Sequence, residues 1–589
     1  MAQVTAWDAE VDLLVAGAGP GGMAAALVGA LEGLEVMVCE KSEQIGGTAS
    51  TSAGTLWIPG NTQSRRAGYD DSPAQAELYM DRLVGGTKGR DLRSAYLETG
   101  PAAIDYYDTR TDVQFLPCGR HPDYQQNMAG AAVTGRAIVP KPFDGRLLGE
   151  DFRLVRPPIG EFMIFGGMMV GKDDIPRLIG RFKSAANFAH SAKLFLRYLS
   201  DRLKYPRGTR ITMGNALVAR LFYSLRKRKV PIRFDTAIRE ILREGGRVVG
   251  AVVESGGRTL RVRTRKGVVL ATGGFAHNTE FRKAFMPQPV PVHSLACETD
   301  TGDGLTLARA VGARIDGDQH RGGAFWTPVS VTRRTGGWRG LFPHLALDRA
   351  KPGLIAVNAA GRRFVNEGAS YHDFVEAMFE SHKLVPTMPA WLICDSAFVA
   401  RYGIGVVHPG TRNLVPHEKS GYLATAPTLE ELARKIGVDP VGLADSVRRH
   451  NGFALTGSDL DFGKGDSELN RFNGDPENRP NPCLKPIEAA PFVAVAVWPA
   501  EIACSAGLAT DADGQVLGED GDPIPGLYAC GNDMASIMAG TYPGPGTTLG
   551  PALVFAYRVA MHAAGKGDAA GRATGASGAS GREERAAAR

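Results

Sequence analysis

Runs of apolar residues that stop at glycines organise this chain. Near its start, "VDLLVAGAG" is a continuous apolar stretch ending in a glycine turn, the pattern of a strand buried on both faces. "GPGGMAAALVGALEGL" then takes helical spacing and "EVMVCEK" is apolar again, which predicts a βαβ unit. Two later segments, "VRTRKGVVLATGGF" (262–275) and "GLYACGND" (526–533), also run a strand into a glycine turn. Between them, from about 300 to 486, a mixed α+β region reads as a second lobe inserted into the first. In 182–203 the period changes: Phe182, Ala185, Ala189, Ala192, Phe195, Leu199 and Leu203 recur every three or four residues, predicting a helix with one apolar face. From Gly565 the chain is small, polar and charged, the composition of a disordered tail.

Gly17, Gly19 and Gly22 form GxGxxG where the first strand meets its helix. Missing side chains there let backbone N–H groups approach a pyrophosphate at the helix N-terminus. Glu40 ends the second strand, roughly 20 residues on, where a carboxylate receives a ribose diol. Strand, helix and acid together predict a dinucleotide site.

Composition narrows the class. A chain of 589 residues, 43% hydrophobic and 22% charged, can fill two well-packed lobes. Its seven cysteines include no CxxC pair, so neither a metal site nor a disulfide framework is expected. The start carries no basic leader and no apolar run reaches the roughly 18 residues that span a bilayer, so a cytoplasmic location is expected. A net charge of +6 is too small for this length to imply nucleic acid. That charge is concentrated, because residues 172–207 hold nine lysines and arginines against three aspartates. Lys183, Lys193, Arg197, Arg202 and Lys204 surround the apolar face. Such a helix either lies on the inner face of the cell membrane or docks on the protein with its basic face in water.

The landmarks "GAGPGGMAAA", "GGTASTSAGTLWIPGN", "ATGGFAHN", "TDTGDGLTLA", "NAAGRRFVNE", "RPNPCLKP" and "TYPGPGTTLGPALVFAY" occur in this order. In them the chain resembles the FAD-dependent succinate dehydrogenase/fumarate reductase superfamily, and its 3-ketosteroid dehydrogenase branch, over almost its whole length. The resemblance implies an α/β protein with a discontinuous Rossmann-like FAD-binding domain (1–150, 209–300 and 487–565) and an inserted α+β catalytic domain (301–486). The basic insert then occupies 151–208 and the tail 566–589. FAD is expected to be non-covalent, because "GGTASTS" lacks the histidine by which some relatives attach it. In that loop Gly47 and the hydroxyls of Thr48, Ser50, Thr51 and Ser52 offer contacts to phosphate or to the flavin's polar edge. Gly273, Asp303, Gly531, Asn532, Thr548 and Leu549 complete the implied cofactor contacts.

Tyr371, in "RRFVNEGASYHDFV", stands where soluble fumarate reductases of that superfamily carry an arginine acid. A phenol brings no standing charge and suits a neutral ketone, whereas a dicarboxylate would need cations. In the ketosteroid dehydrogenases this position is the base beside the ketone. The resemblance also implies that the Tyr542 hydroxyl and the Gly546 N–H donate to the ketone oxygen. Tyr124 is the implied helper of Tyr371, which needs one because an isolated phenol has a pKa of about 10. Tyr106 and Tyr107 are alternatives to Tyr124, and Phe325 with Trp326 are expected to wall an apolar pocket. His372 is equally explained as part of a helix start.

The implied reaction is 1,2-dehydrogenation of a 3-ketosteroid, with the proton leaving to a tyrosine and the hydride to FAD. An unidentified acceptor, for which a quinone is a candidate, then takes the electrons. A 4,5-dehydrogenase acting on 5α-steroids would use the same tyrosines, and "GNDMASIMAG" leaves that alternative open. A fumarate-reductase-type enzyme and a non-catalytic flavin carrier are the remoter rivals.

Overall fold

The computed structural model describes residues 6–86, 89–171, 174–317, 322–333 and 339–567. Lys172 and Asp173 of the basic insert and the tail from 568 lie outside the described residues.

The first strand, Ala9–Ala16, has parallel partners on both sides, Val36–Cys39 and Arg258–Leu270. Covered on both faces, its second half is apolar at every position and does not alternate. Ile232–Arg233 extends the sheet parallel to Val36–Cys39, and Pro523–Ala529 lies parallel to Arg258–Leu270. Thr236–Glu244 and Arg247–Ser255 join it as an antiparallel hairpin, and Gln515–Leu517 pairs antiparallel with Pro523–Ala529. Register matters most here: Ala16 is opposite both Cys39 and Leu270, and Leu270 is opposite Ala529. Four strands therefore end at one level, and their turns meet at the carboxyl edge of the sheet. That edge is where open α/β sheets bind ligands.

Helix Pro20–Leu31 starts at this edge. Gly17 turns there at φ +104°, and a Cβ on Gly22 would run into the Gly17 carbonyl, so the helix can approach the strand only with glycine at both places. Helix Leu549–Ala563 packs against Pro20–Leu31.

A second sheet runs Arg339–Pro343, Ala324–Arg333, Phe492–Cys504, Ala390–Asp395, Leu354–Val357. Phe492–Cys504 is its long central strand, pairing on both sides. The chain thus stays in the second sheet through Cys504, past the return to the first lobe expected at 487. Glycine turns mark where strands stop, but pairing decides to which sheet a strand belongs.

Phe143–Asp144 pairs with Arg210–Ile211 and closes the stem of the insert. Within it lie helices Asp174–Ile179 and Ala185–Arg202, the latter capped by Ser184. The second helix packs through Leu194 and Tyr198 onto Met168. The apolar face read from the sequence is not the packed one. Phe182 (79%) and Leu203 (90%) are among the most exposed apolar side chains, and Phe195 and Leu199 are exposed with them. Arg197 leaves the basic rim and turns inward to Asp144 (2.7 Å).

Candidate active site

A cavity of about 660 Å³ runs from the glycine turns of the first sheet to the second lobe. At one end it is lined by Gly17, Gly19, Glu40, Gly47, Thr48, Ser52, Gly273, Asp303, Gly531, Asn532, Thr548 and Leu549. Gly22 does not line it and serves the helix packing already described.

The lining fits a dinucleotide. A Cβ added to Gly19, Gly47 or Gly531 would meet no protein atom within 4 Å, so these backbones border open space and not packing. No side chain caps helix Pro20–Leu31 at Gly19, which leaves its first N–H groups for a phosphate. Thr548 likewise makes no side-chain cap at the start of Leu549–Ala563. Glu40 accepts from the Ala18 N–H (2.8 Å) and the Ser42 N–H (2.9 Å), which orients its carboxylate at the cavity.

The hydroxyls of "GGTASTS" are used differently from expectation. Thr48 donates to Asp300 (2.7 Å), Thr51 to the Thr48 carbonyl and Ser52 to the Ala49 carbonyl. Ser50 is buried and is not part of the lining. The short helical turn Gly47–Thr51 takes up the Thr51 and Ser52 hydroxyls and Asp300 takes up that of Thr48, so this loop presents mainly backbone to a cofactor. Asp303 lines the cavity but is held by Lys41 (2.7 Å) and Thr301 (2.7 Å). The carboxyl that sequence reading missed is Asp300, buried three residues earlier. Burial pushes it up to about 8, with Asp533 opposing its ionisation and Thr48 favouring it. Only its proximity to Thr48, 252 positions away, reveals it.

At the other end three phenols meet. The Tyr371 hydroxyl is 3.0 Å from that of Tyr542 and 3.4 Å from that of Tyr124. The Tyr124 and Tyr542 rings stack at 5.6 Å, and Tyr371 stands edge-on to both. Burial lifts all three phenols above their ordinary range. Two structures hold them in place. Tyr371 is the first residue of helix Tyr371–His382, capped by Ser370, so its phenol sits at the positive end of the helix dipole. The preceding "GRRFVNE" is pinned by a buried ion network, in which Arg363 bridges Glu367 (2.8 Å) and Asp459 (2.9 Å) while Lys464 approaches Glu367. On the opposite side Tyr124 N–H and the Tyr79 hydroxyl both donate to the Pro543 carbonyl (2.8 Å each), tying the Tyr124 loop to the residue after Tyr542. Gly546 turns at φ +96°, where any Cβ would strike the backbone of Thr55 and Leu56. Among the described residues its N–H has no hydrogen-bond partner.

Other expectations change. Tyr106 and Tyr107 lie elsewhere: Tyr107 bonds the Leu553 carbonyl and Tyr106 bonds Glu32. Phe325 and Trp326 do not wall the cavity. Phe325 backs Tyr542 edge-on at 5.3 Å, and Trp326 packs on Phe379, because the strand carrying them is covered by helix Tyr371–His382. The apolar wall is instead Ile159, Phe162, Leu345, Leu347, Leu469 and Phe472, from segments too short for any period to show. His372 is buried, accepts from the Trp326 N–H (3.2 Å) and bonds the Gly540 carbonyl (2.9 Å) beneath Tyr542. It joins the helix of Tyr371 to the loop of Tyr542.

Dinucleotide cradle, buried phenols and apolar wall form one site, and the chain's relatives make it that of a flavin-dependent oxidoreductase acting on CH–CH groups. Residues 12–549 match the family described as FAD binding domain, and the chain belongs to this family, in its 3-ketosteroid dehydrogenase branch; its cofactor is FAD. It is 40% identical over 550 residues to 4-oxocyclohex-2-ene-1-carboxylate 5-dehydrogenase of Sinomonas cyclohexanicum, covering 93% of this chain and 92% of that one. It is 34% identical over 563 residues to 3-oxosteroid 1-dehydrogenase of Mycolicibacterium smegmatis, covering 94% and 97%. Among solved structures it resembles 3-ketosteroid delta1-dehydrogenase from Sterolibacterium denitrificans in complex with 1,4-androstadiene-3,17-dione, with a TM-score of 0.87 and 36% identity over 94% of this chain and 99% of that one. No helix among the described residues is long and apolar enough to cross a membrane.

Proposed function

We propose that the protein dehydrogenates a 3-ketosteroid between carbons 1 and 2. The convergence of Tyr371, Tyr542 and Tyr124 at a cavity that also contains the unpartnered Gly546 N–H carries the reading as a ring-ketone dehydrogenase, and the relatives named for 3-oxosteroid 1-dehydrogenation support carbons 1 and 2. FAD, when bound, supplies the hydride acceptor. The Tyr542 hydroxyl and the Gly546 N–H donate to the ketone oxygen and stabilise the negative charge that grows there. The Tyr371 oxygen, as phenolate, receives the proton from the adjacent carbon and becomes the phenol. Burial, and then Tyr124, oppose its ionisation, whereas its bond to Tyr542, the Arg349 charge and its place at a helix N-terminus favour it. The relatives named for 3-oxosteroids and for an oxocyclohexene carboxylate share one chemistry, desaturation beside a ring ketone. Anaerobic mixing tests the assignment. A 4-ene-3-ketosteroid should bleach the flavin and yield the 1,4-diene. Bleaching by the 5α-dihydrosteroid alone would reassign the enzyme to 4,5-dehydrogenation, and no bleaching by either steroid would refute the steroid reading.

The insert supports a peripheral membrane contact, which we place on the inner face of the cell membrane. Phe182, Phe188, Leu196, Leu199 and Leu203 are exposed beside Lys183, Lys193 and Lys204. Each lysine near an anionic surface contributes about 1 kcal/mol, so replacing Lys183 and Lys193 by glutamine should weaken vesicle binding by roughly 2 kcal/mol at low salt. If wild type and variant both stay with the supernatant, the contact does not exist.

A further inference from the structure

Beyond the phenols the cavity wall is mostly apolar, yet Lys351 is set into it. Its ammonium donates to the Gly474 carbonyl (2.8 Å), which uses one of its three protons. Asp475, the carboxylate that favours its charge most, is already bridged by Arg401 (2.6 Å) and Tyr402 (2.5 Å). Asp348, also near, is engaged by His344 (2.6 Å). Among the described residues Lys351 has no ion-pair partner. Lys41, the other lysine of the cavity, stands at the dinucleotide end and is paired with Asp303. Burial lowers the pKa of Lys351, the signature of an ammonium whose charge is not fully compensated. Beside it the lining offers Asn473 and His121, whose ring packs on Phe472 at 5.2 Å, three residues from Tyr124.

A half-buried cation costs free energy unless something pairs with it. The phenols and the Gly546 N–H hold a neutral ketone, so the charge is not needed for the reacting end. We propose that Lys351 receives a carboxylate carried by the ketone substrate at the end remote from the reacting carbons. The inference rests on the reading of this cavity as a ketone dehydrogenation site. It makes the substrate bipolar in function: ketone toward Tyr542 and Gly546, carboxylate toward Lys351, with the apolar ring system along Leu345, Leu469 and Phe472. Two sources carry that chemistry, a small oxocyclohexane carboxylate and a 3-ketosteroid with a side-chain carboxylate. They differ in the distance between the two groups.

The test uses the FAD-loaded full chain and two acid–ester pairs: 4-oxocyclohexanecarboxylate with its methyl ester, and a 4-ene-3-ketosteroid side-chain carboxylate with its methyl ester. Flavin reduction gives kcat/KM for each, and flavin difference spectra give Kd. Wild type should prefer the acid in one pair, and that pair identifies the source. Lys351→Met should lower the acid-to-ester ratio of kcat/KM roughly 10- to 100-fold, mainly through Kd, the usual scale for a charged hydrogen bond. Lys351→Glu should lower it further, and Lys351→Arg should retain most of it. A wild type that does not prefer the acid in either pair overturns the inference without any variant. So does a ratio unchanged in Lys351→Met and in Lys351→Gln, which keeps a donor for Gly474 and guards against loss of fold. Failure of every ketone to reduce the wild-type flavin is a different result, because it removes the dehydrogenase reading itself.

Discussion

Tyr371→Phe keeps the ring and deletes one oxygen, so its consequences can be worked out atom by atom. The edge-on packing against Tyr124 and Tyr542, at 5.5 and 5.3 Å, survives in phenylalanine, and no apolar surface is lost. What goes is the 3.0 Å bond to Tyr542 and the weaker 3.4 Å bond to Tyr124. Leaving a buried hydroxyl without its partner costs about 1–3 kcal/mol of stability, which a holoprotein of this size tolerates. FAD and steroid binding should remain near wild type. The chemical step loses the proposed proton acceptor, and a positioned general base contributes about 10²- to 10⁴-fold. Anaerobic stopped-flow bleaching of the flavin isolates that step from reoxidation. Wild type should also speed up with pH across the neutral range. Burial holds the phenol above its ordinary pKa, so below that value each pH unit raises the phenolate fraction about tenfold. Tyr371→Phe should lose this slope as well as the rate. Bleaching within about threefold of wild type, with the pH slope intact, would show that the base is another group, with Tyr124 next in line.

Gly546→Ala should lower kcat about 10²-fold or more at nearly unchanged FAD affinity, because the new methyl strikes Thr55 and Leu56 and drives the N–H away from the ketone oxygen; an unaltered kcat refutes that donor. Glu367→Gln leaves Arg363 and Lys464 buried with too little negative charge and should cost about 3–5 kcal/mol in denaturant unfolding. Burial would raise the Glu367 carboxyl, but Arg363 and Lys464 overcome this and hold it at about 2. Its contribution is therefore complete above the ordinary carboxylate range and fades as pH falls toward 2, and the variant should lack this acid limb. Asp300 has the opposite sign. Held up to about 8, it is protonated when folded and ionised when unfolded, so it makes the protein less stable as pH rises from about 4 to 8. Asp300→Asn should flatten that decline in the melting temperature of the holoprotein; an unchanged decline would exclude Asp300 as its source.

FAD and the expected place of Tyr371 came from the chain's resemblance to a known family, while the sequence alone determined the βαβ start and the dinucleotide glycines. Those features are local: buried parallel strands must be apolar throughout, and a turn at φ +104° admits little but glycine, so the physics is written in neighbouring residues. The same locality explains why the helix of the insert was legible while its packed side was not. Its period predicts an apolar stripe, but Leu194 and Tyr198 meet the protein, and the stripe through Phe195 and Leu199 does not. Tertiary structure decided everything that depends on distant partners. Register alone brings the four strand ends level. Asp300 acquires its role from Thr48, and the hydroxyls of Thr51 and Ser52 are consumed by a helical turn. Phe325 backs the ring of Tyr542 where a pocket wall was expected. Lys351 is an ordinary lysine in "DRAKPG" until folding buries it in an apolar cavity and pairs its acidic neighbour Asp475 with another residue. Desolvation and pairing are properties of the surroundings, and for these residues the surroundings come from segments far apart in the chain.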